Sequence, residues 1–293
     1  MSWDDEAIER LSSAGPCGYS ADGPPSAEPT ALAAIALLGA GRGDKAKPHL
    51  QWLADNQINP GGSVPPLPGL GWPGWTTPLA IVAAVTSNAQ SGESNFRLSE
   101  AKQWLLSAEG KKLENVREIG HDGTLIGWPW VLGTHSWQEP TAWSVLALKS
   151  LGLAAHARTR EGVRLLVDRL LPTGGCNYGN TYVLGQRLRA HLEPSGLALM
   201  ALAGESSDDP RIPATIGYVA AALSDETTPV SLSYGLMGLT AHRQPPASAA
   251  AWPAAAYART INRRASPLTI ALLVLAAQGE DCPLITQIRT AQK

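Results

Sequence analysis

The chain has 293 residues, 44% of them hydrophobic and 16% charged, with a formal net charge of −2. That length and apolar content can bury one large core, and a near-neutral chain without a Lys/Arg cluster gives no electrostatic support for a nucleic-acid partner or an acidic membrane surface. The start, Met1 to Glu6, is acidic and lacks the apolar core of a signal peptide, and no run reaches the roughly 18 apolar residues of a transmembrane segment.

Two kinds of helical segment alternate along the chain. Trp3 to Leu11 opens as an amphipathic helix. Pro29 then leads an almost wholly apolar run, Thr30 to Gly39, and Lys45 to Gln57 is amphipathic again. Pro78 leads Leu79 to Val85, and Ser99 to Leu113 follows with Ala101, Trp104, Leu105 and Ala108 at helical spacing. Glu139-Pro140 leads the run to Gly152, with Ala, Leu and Val in its body and Gly152 as a stop. Arg160 to Leu171 carries Val163, Leu166 and Val167 on one face. Pro194 leads Ser195 to Leu202, and Ile212 to Leu223 is amphipathic. Pro229 leads Val230 to Leu239, Ala247 to Ile261 is interrupted by Pro253, and Pro267 leads Leu268 to Leu275. Asp281 to Lys293 reads as a short terminal helix or a frayed tail.

Proline suits a first helical position, where its missing N–H leaves no bond unmade. The residues before the six prolines, Glu28, Thr77, Glu139, Glu193, Thr228 and Ser266, are caps or anions suited to a helix N-terminus. Units recurring at roughly 35 to 60 residues, each seeded by one such helix, predict a repeat architecture. The amphipathic helices have one stripe to bury; the proline-led ones are apolar nearly all round and belong inside. About six inner and six outer helices close into a single all-α domain, an α/α toroid spanning 1–293, with parallel inner helices whose N-termini meet at one end.

The loops at that end are rich in Gly, Pro and Trp. Trp72, Trp75, Trp128, Trp130, Trp137 and Trp143 lie in, or one turn after, the loops Pro60 to Pro78 and Asp122 to Trp137. Such loops fold back and carry function. Glu139 and Glu193 are the candidate acids, since a carboxylate crowded into an apolar pocket has its pKa raised and can donate a proton. Glu28 stands in the same place on its own helix, and Asp122 is a third candidate, although an Asp-Gly pair also suits a turn. The bland reading of each glutamate is an anion at a helix N-terminus, worth about 0.3–1 kcal/mol. Trp72, Trp75, Trp128, Trp130 and Trp137, with Tyr178, Tyr182 and Tyr234, line a pocket on the functional reading and pack loops onto helices on the structural one. His135 can bind a polar head group or move a proton. Cys17, Cys176 and Cys282 are odd in number and far apart, which fits a reduced, cytoplasmic compartment.

Several of these stretches resemble a known group. Leu53 to Gln57 followed by Gly61-Gly62 resembles the Gln/Trp repeat of squalene–hopene cyclases, and Asp122-Gly123, Trp128 and Gly133-Thr134 are similar to their Gly/Trp-rich loop. Glu139-Pro140-Thr141-Ala142 sits where those enzymes place Asp-Asp-Thr-Ala. Gly175 to Asn180 resembles the same repeat in bacterial prenyltransferase/squalene-cyclase proteins. The resemblance implies the terpenoid cyclase/protein prenyltransferase toroid, with an isoprenoid or other apolar small molecule as partner. It departs from the family in its chemistry. The Asp-x-Asp-Asp acid motif is missing, and neither Asp4-Asp5 nor Asp208-Asp209 supplies it. No Asp-Asp-x-x-Asp motif exists, and Ser231, Ser233 and Tyr234 occupy the helix where a zinc ligand would be hoped for, so neither a metal nor another cofactor is expected. The resulting expectation is a cyclase- or prenyltransferase-like protein that acts on or binds an isoprenoid by carboxylic-acid chemistry; the alternative is a non-catalytic binding or scaffold protein on the same barrel. The sequence specifies no oligomeric state.

Overall fold

The computed structural model describes residues 2–70, 74–91, 95–114, 119–205, 208–261 and 265–290. Its helices, in chain order, are α1 (Trp3–Ala14), α2 (Ala27–Gly39), α3 (Gly43–Asp55), α4 (Thr77–Ser91), α5 (Leu98–Ser107), α6 (Gln138–Ser150), α7 (Ala157–Asp168), α8 (Leu192–Leu202), α9 (Arg211–Ala222), α10 (Pro229–Ala241), α11 (Trp252–Ile261), α12 (Pro267–Ala277) and α13 (Pro283–Thr290). A two-residue hairpin, β1 (Tyr182–Val183) with β2 (Gln186–Arg187), interrupts the series between α7 and α8.

The even-numbered helices α2 to α12 form the inner ring. Each packs on the next, and α12 returns to α2 and closes the circle. The odd-numbered helices α3, α5, α7, α9 and α11 pack outside it, α5 against α4 and each of the others against the two inner helices it connects, and α1 covers the seam between α12 and α2. The fold is thus an α/α toroid. The division follows the sequence pattern: α2 is buried from Ala27 to Leu38, whereas α7 buries only Thr159, Gly162, Val163, Leu165 and Leu166. Adjacent inner helices run parallel where their backbones touch. A Cβ on Gly196 would lie 2.4 Å from the carbonyl carbon of Tyr234, and one on Gly238 would meet the Leu199 side chain at 3.1 Å, so α8 and α10 advance in the same direction. Only glycine permits that approach.

The inner prolines stand deeper than a first helical position in four of the six inner helices, Pro78 being the second residue of α4. Helices α10 and α12 begin on Pro229 and Pro267, but α2, α6 and α8 begin two residues earlier. Nothing is lost, because none of the first four N–H groups has a partner within the helix. The glutamates before Pro29, Pro140 and Pro194 therefore lie inside the first turn and are not caps. Pro253, expected to interrupt α11, is the second residue of that helix. Helix α5 ends at Ser107, short of Leu113, because the following segment pairs with the next loop: Gly110 donates to Gly127, Lys111 to Thr134 and Leu113 to Gly123.

A hydroxyl in the first turn of four inner helices holds the preceding loop in place. Thr30 Oγ1 accepts from Cys17 N (3.1 Å) and donates to Cys17 O (3.0 Å). Thr77 Oγ1 accepts from Val64 N (2.9 Å), Thr141 Oγ1 from Trp128 N (3.0 Å) and Ser195 Oγ from Cys176 N (2.9 Å). The interval is 13 residues in the first three cases and 19 in the last. These buried bonds satisfy loop backbone that would otherwise be orphaned beside an apolar helix bundle.

Below this level side chains of α6 and α10 meet inside the ring. Trp143 of α6 has no surface open to a water-sized sphere, and its ring meets Tyr234 of α10 at 6.4 Å, edge to face. The far end is closed by α13, which touches α2, α4, α6 and α10 and buries Leu284, Ile285 and Ile288. Gln287 of α13 hydrogen-bonds Thr86 of α4, and Arg289 donates to the Thr240 carbonyl at 3.1 Å. The C-terminal segment is therefore a docked plug through Thr290 and not a frayed tail. Close by, buried Lys149 donates to the carbonyls of Ala201 (2.7 Å) and Ala203 (3.1 Å) at the end of α8 and pairs with Glu205 at 2.7 Å.

Ile285→Ala removes buried aliphatic volume from the plug and is expected to cost about 2–5 kcal/mol of unfolding free energy, measured by urea denaturation. A loss well under 1 kcal/mol would mean that α13 is not docked in solution.

Candidate functional site

The parallel inner helices bring their first turns to the open mouth of the ring, and three of those turns carry a glutamate. Glu28 (α2), Glu139 (α6) and Glu193 (α8) lie within electrostatic reach of one another. Glu28 is 8% exposed; Glu139 and Glu193 are partly buried. Burial first, and then the neighbouring charges of Glu28 and Glu193, push the Glu139 carboxyl up to about 8. Burial also raises Glu28, opposed by a hydrogen bond from Tyr19, and it raises Glu193, opposed by His191. Helix N-termini favour anions, so the upward shifts mean that desolvation and mutual repulsion outweigh the favourable helix ends.

Tyr19, in the loop before α2, donates to Glu28 Oε2 at 2.6 Å. Its phenol is pushed well above the ordinary tyrosine value by burial and by the Glu28 charge, although the residue as a whole is 47% exposed. Tyr234, buried in the floor, feels all three glutamates. Tyr178, on the rim, is half exposed and lies 5.3 Å from the His191 ring. Its carbonyl accepts from Gln138 N (2.9 Å), which ties the rim to the start of α6. His135 lies against Trp137 at 4.6 Å, beside the same turn.

The tryptophans divide. Trp128 is buried, donates its indole N–H to Leu105 O (2.8 Å) and carries the Arg158 guanidinium on its face at 4.2 Å. It joins a loop to α5 and α7. Trp75 and Trp130 meet edge to face at 4.6 Å and, with Trp104, Trp128, Pro78 and Pro140, line a narrow cleft whose cavity of about 10 Å³ holds no more than one water. Trp72 lies outside the described residues. Tyr182 is on the hairpin, held by Arg187 through its hydroxyl at 3.0–3.1 Å.

Asp122 does not join the carboxylate group. Its side chain accepts from Thr124 N (2.8 Å) and Thr124 Oγ1 (2.7 Å), which lowers its pKa. It borders a groove on the outer wall with Asp168, Arg160 and Arg211. This is the turn that Asp-Gly suggests. Tyr19 and His191 were not singled out from the sequence. Glu28 shares the Glu-Pro signature of Glu139 and Glu193, but nothing local marks a tyrosine nine residues upstream as its partner. Cys17, Cys176 and Cys282 are buried free thiols, each pushed up to about 12 by burial, and none is a usable nucleophile at neutral pH. Among the described residues no three His, Cys, Asp or Glu side chains are grouped to hold a metal, and no described helix is long and apolar enough to cross a membrane.

No protein-family model and no curated protein matches the sequence. Solved structures do match. A glycosidase variant in complex with glucose superposes with a TM-score of 0.60 at 12% identity, covering 97% of this chain and 96% of that one. A type II terpene cyclase, MstE from Scytonema, in complex with geranylgeranyl dihydroxybenzoate gives 0.60 at 15% identity, over 96% and 98%. A protein from Actinoplanes gives 0.51 at 14% identity, over 99% and 100%. At such identities the likeness is one of fold.

The Glu139 shift has a measurable sign. Its carboxyl titrates near 4.5 in the unfolded chain and at about 8 in the fold, so the fold favours the protonated form. That contribution is fully present below the unfolded value and is lost as pH rises through the folded one. Glu139→Gln is a permanent neutral mimic, so its stability relative to the native protein should climb between pH 4.5 and 8 and level off above. A difference that stays flat with pH in denaturation curves would show that Glu139 is not held protonated.

Proposed function

We propose that the glutamate mouth is an acid–base active site and that the bond it cleaves is glycosidic. The observation that carries this reading is a carboxylic acid, Glu139, held protonated near neutral pH beside two further carboxylates on other inner helices. Glycoside hydrolysis asks for two carboxyl groups in opposite protonation states. Glu139 gives its proton to the departing oxygen as the C–O bond breaks. A water loses a proton to an ionised neighbour, Glu28 or Glu193, and its oxygen bonds to the anomeric carbon. Exchange with solvent then resets both carboxyls. The glycosidase fold neighbours, one bound to glucose, lend support by analogy.

An isoprenoid substrate is the second reading, favoured by the Trp75–Trp130 pair beside Pro140 and by the terpene cyclase neighbour with its prenylated ligand. Two features weigh against it. Trp143 and Tyr234 meet inside the ring where a long chain would thread, and a carboxyl near 8 is a weak donor for an alkene. A non-catalytic scaffold has less support still, because three desolvated, mutually repelling carboxylates are costly without a use. The three buried free thiols fit the expected cytoplasmic setting.

Incubation with a panel of nitrophenyl glycosides and disaccharides, read by released phenol and reducing sugar, tests the proposal. Turnover should follow a bell-shaped pH profile, and Glu139→Gln should lower kcat by about 10²–10⁴-fold. Absence of hydrolysis across the panel, together with product formation from geranylgeranyl aromatic esters by mass spectrometry, would transfer the site to the isoprenoid reading. Silence in both arms would reject the enzyme.

A further inference from the structure

We propose that Tyr19 is a positioning residue that holds Glu28 as the ionised carboxylate of the mouth, so that Glu28, rather than Glu193, is the base that works opposite protonated Glu139. The inference rests on the acid–base reading and assigns the role which that reading leaves open between two glutamates.

The geometry separates the two. The Tyr19 hydroxyl lies 2.6 Å from Glu28 Oε2. That is the length of a hydrogen bond from a neutral hydroxyl to a charged oxygen, shorter than the usual neutral pair. A phenol whose own ionisation is pushed up by burial can only donate here, and its donation favours the carboxylate form of its partner. Among the described residues Glu193 has no such donor; its favourable neighbour is exposed His191, whose ring is tilted against that of Tyr178. The groups that face Glu28 are Tyr19 from its own loop, Glu139 on α6, Glu193 on α8 and Tyr234 on α10. The first turns of α4 and α12, which flank α2 in the ring, carry no titratable side chain. On the outer side, the acidic and basic residues of α1 and α3 point to solvent, and His49 of α3 is buried and held neutral, its pKa pushed down to about 4.

The coupling closes on itself. A negative Glu28 raises Glu139, which keeps the acid protonated, and the loop carrying Tyr19 is itself anchored next to α2 through Cys17 and Thr30. Tyr19 therefore sets the protonation of two carboxyls while touching one.

Carboxyl carbon NMR of protein labelled in its glutamate side chains tests this directly, with Glu28→Gln and Glu139→Gln used to assign the signals. In the native protein Glu28 should ionise at lower pH than Glu139. In Tyr19→Phe, which keeps the ring and removes only the donor, the Glu28 midpoint should rise by about one to two units, the worth of one hydrogen bond to a charged group, and that of Glu139 should fall. A Glu28 that ionises together with or after Glu139, or midpoints that stay in place in Tyr19→Phe, would overturn the assignment. The titration needs no substrate, so it stands apart from the hydrolysis assay. If glycosides are turned over, the acid limb of kcat/KM should move up with Glu28 in Tyr19→Phe and the melting temperature should stay within a degree or two of the native value; a uniform loss of rate with an unmoved limb would count against the role.

Discussion

The hydroxyl that follows the inner proline is the contact on which the mouth depends. In α2, α6 and α8 the first turn reads Glu-Pro-Thr or Glu-Pro-Ser, and the Thr or Ser bonds the backbone of a loop residue 13 or 19 positions upstream. The proline sets the helix direction without wasting a donor. The hydroxyl fixes where the preceding loop leaves the helix, and the glutamate is left at the open end. Fold and site thus share three consecutive residues. A change that releases the loop also moves the acid.

That placement carries an electrostatic conflict. Helix ends attract anions, yet three of them are drawn together in a ring whose floor is Trp143 and Tyr234. Repulsion and desolvation prevail, and Glu139 is held near 8. On the proposed reading, a carboxyl in that state serves as the proton donor and its neighbours restore it. The structural reading, in which each glutamate merely suits its own helix end, accounts for the position of one residue at a time and not for the upward shift of all three.

Aromatic side chains of α6 and α10 meet inside the toroid. These are the rings of Trp143 and Tyr234, and α13 packs across the toroid's far end, while Tyr19, Tyr178 and His191 are exposed near the glutamates. Lys149, bonded to the carbonyls that end α8, and α13 hold the opposite end shut.

Much of this was legible in the amino-acid order. Alternating apolar and amphipathic segments, each apolar one marked by proline, determined the toroid, because helices apolar all round have nowhere to go but inside. The Glu-Pro signature marked Glu28, Glu139 and Glu193, and the aromatic loops ahead of Glu139 and Glu193 put those two forward. Only the tertiary structure decided the rest. Asp122 turned out to serve its own loop, because a bond to a residue two positions away competes with any distant role. Trp128 proved to be a brace, since burial and an indole partner are properties of the packed loop. Tyr19 reached Glu28 through a loop whose Gly, Pro and Ser residues carry no periodic signal, and α13 became a plug because its apolar face met the ends of α2, α4, α6 and α10. Local pattern settles which residues are helical and which face is greasy; which side chains meet across the axis depends on closure, and closure exists only in three dimensions.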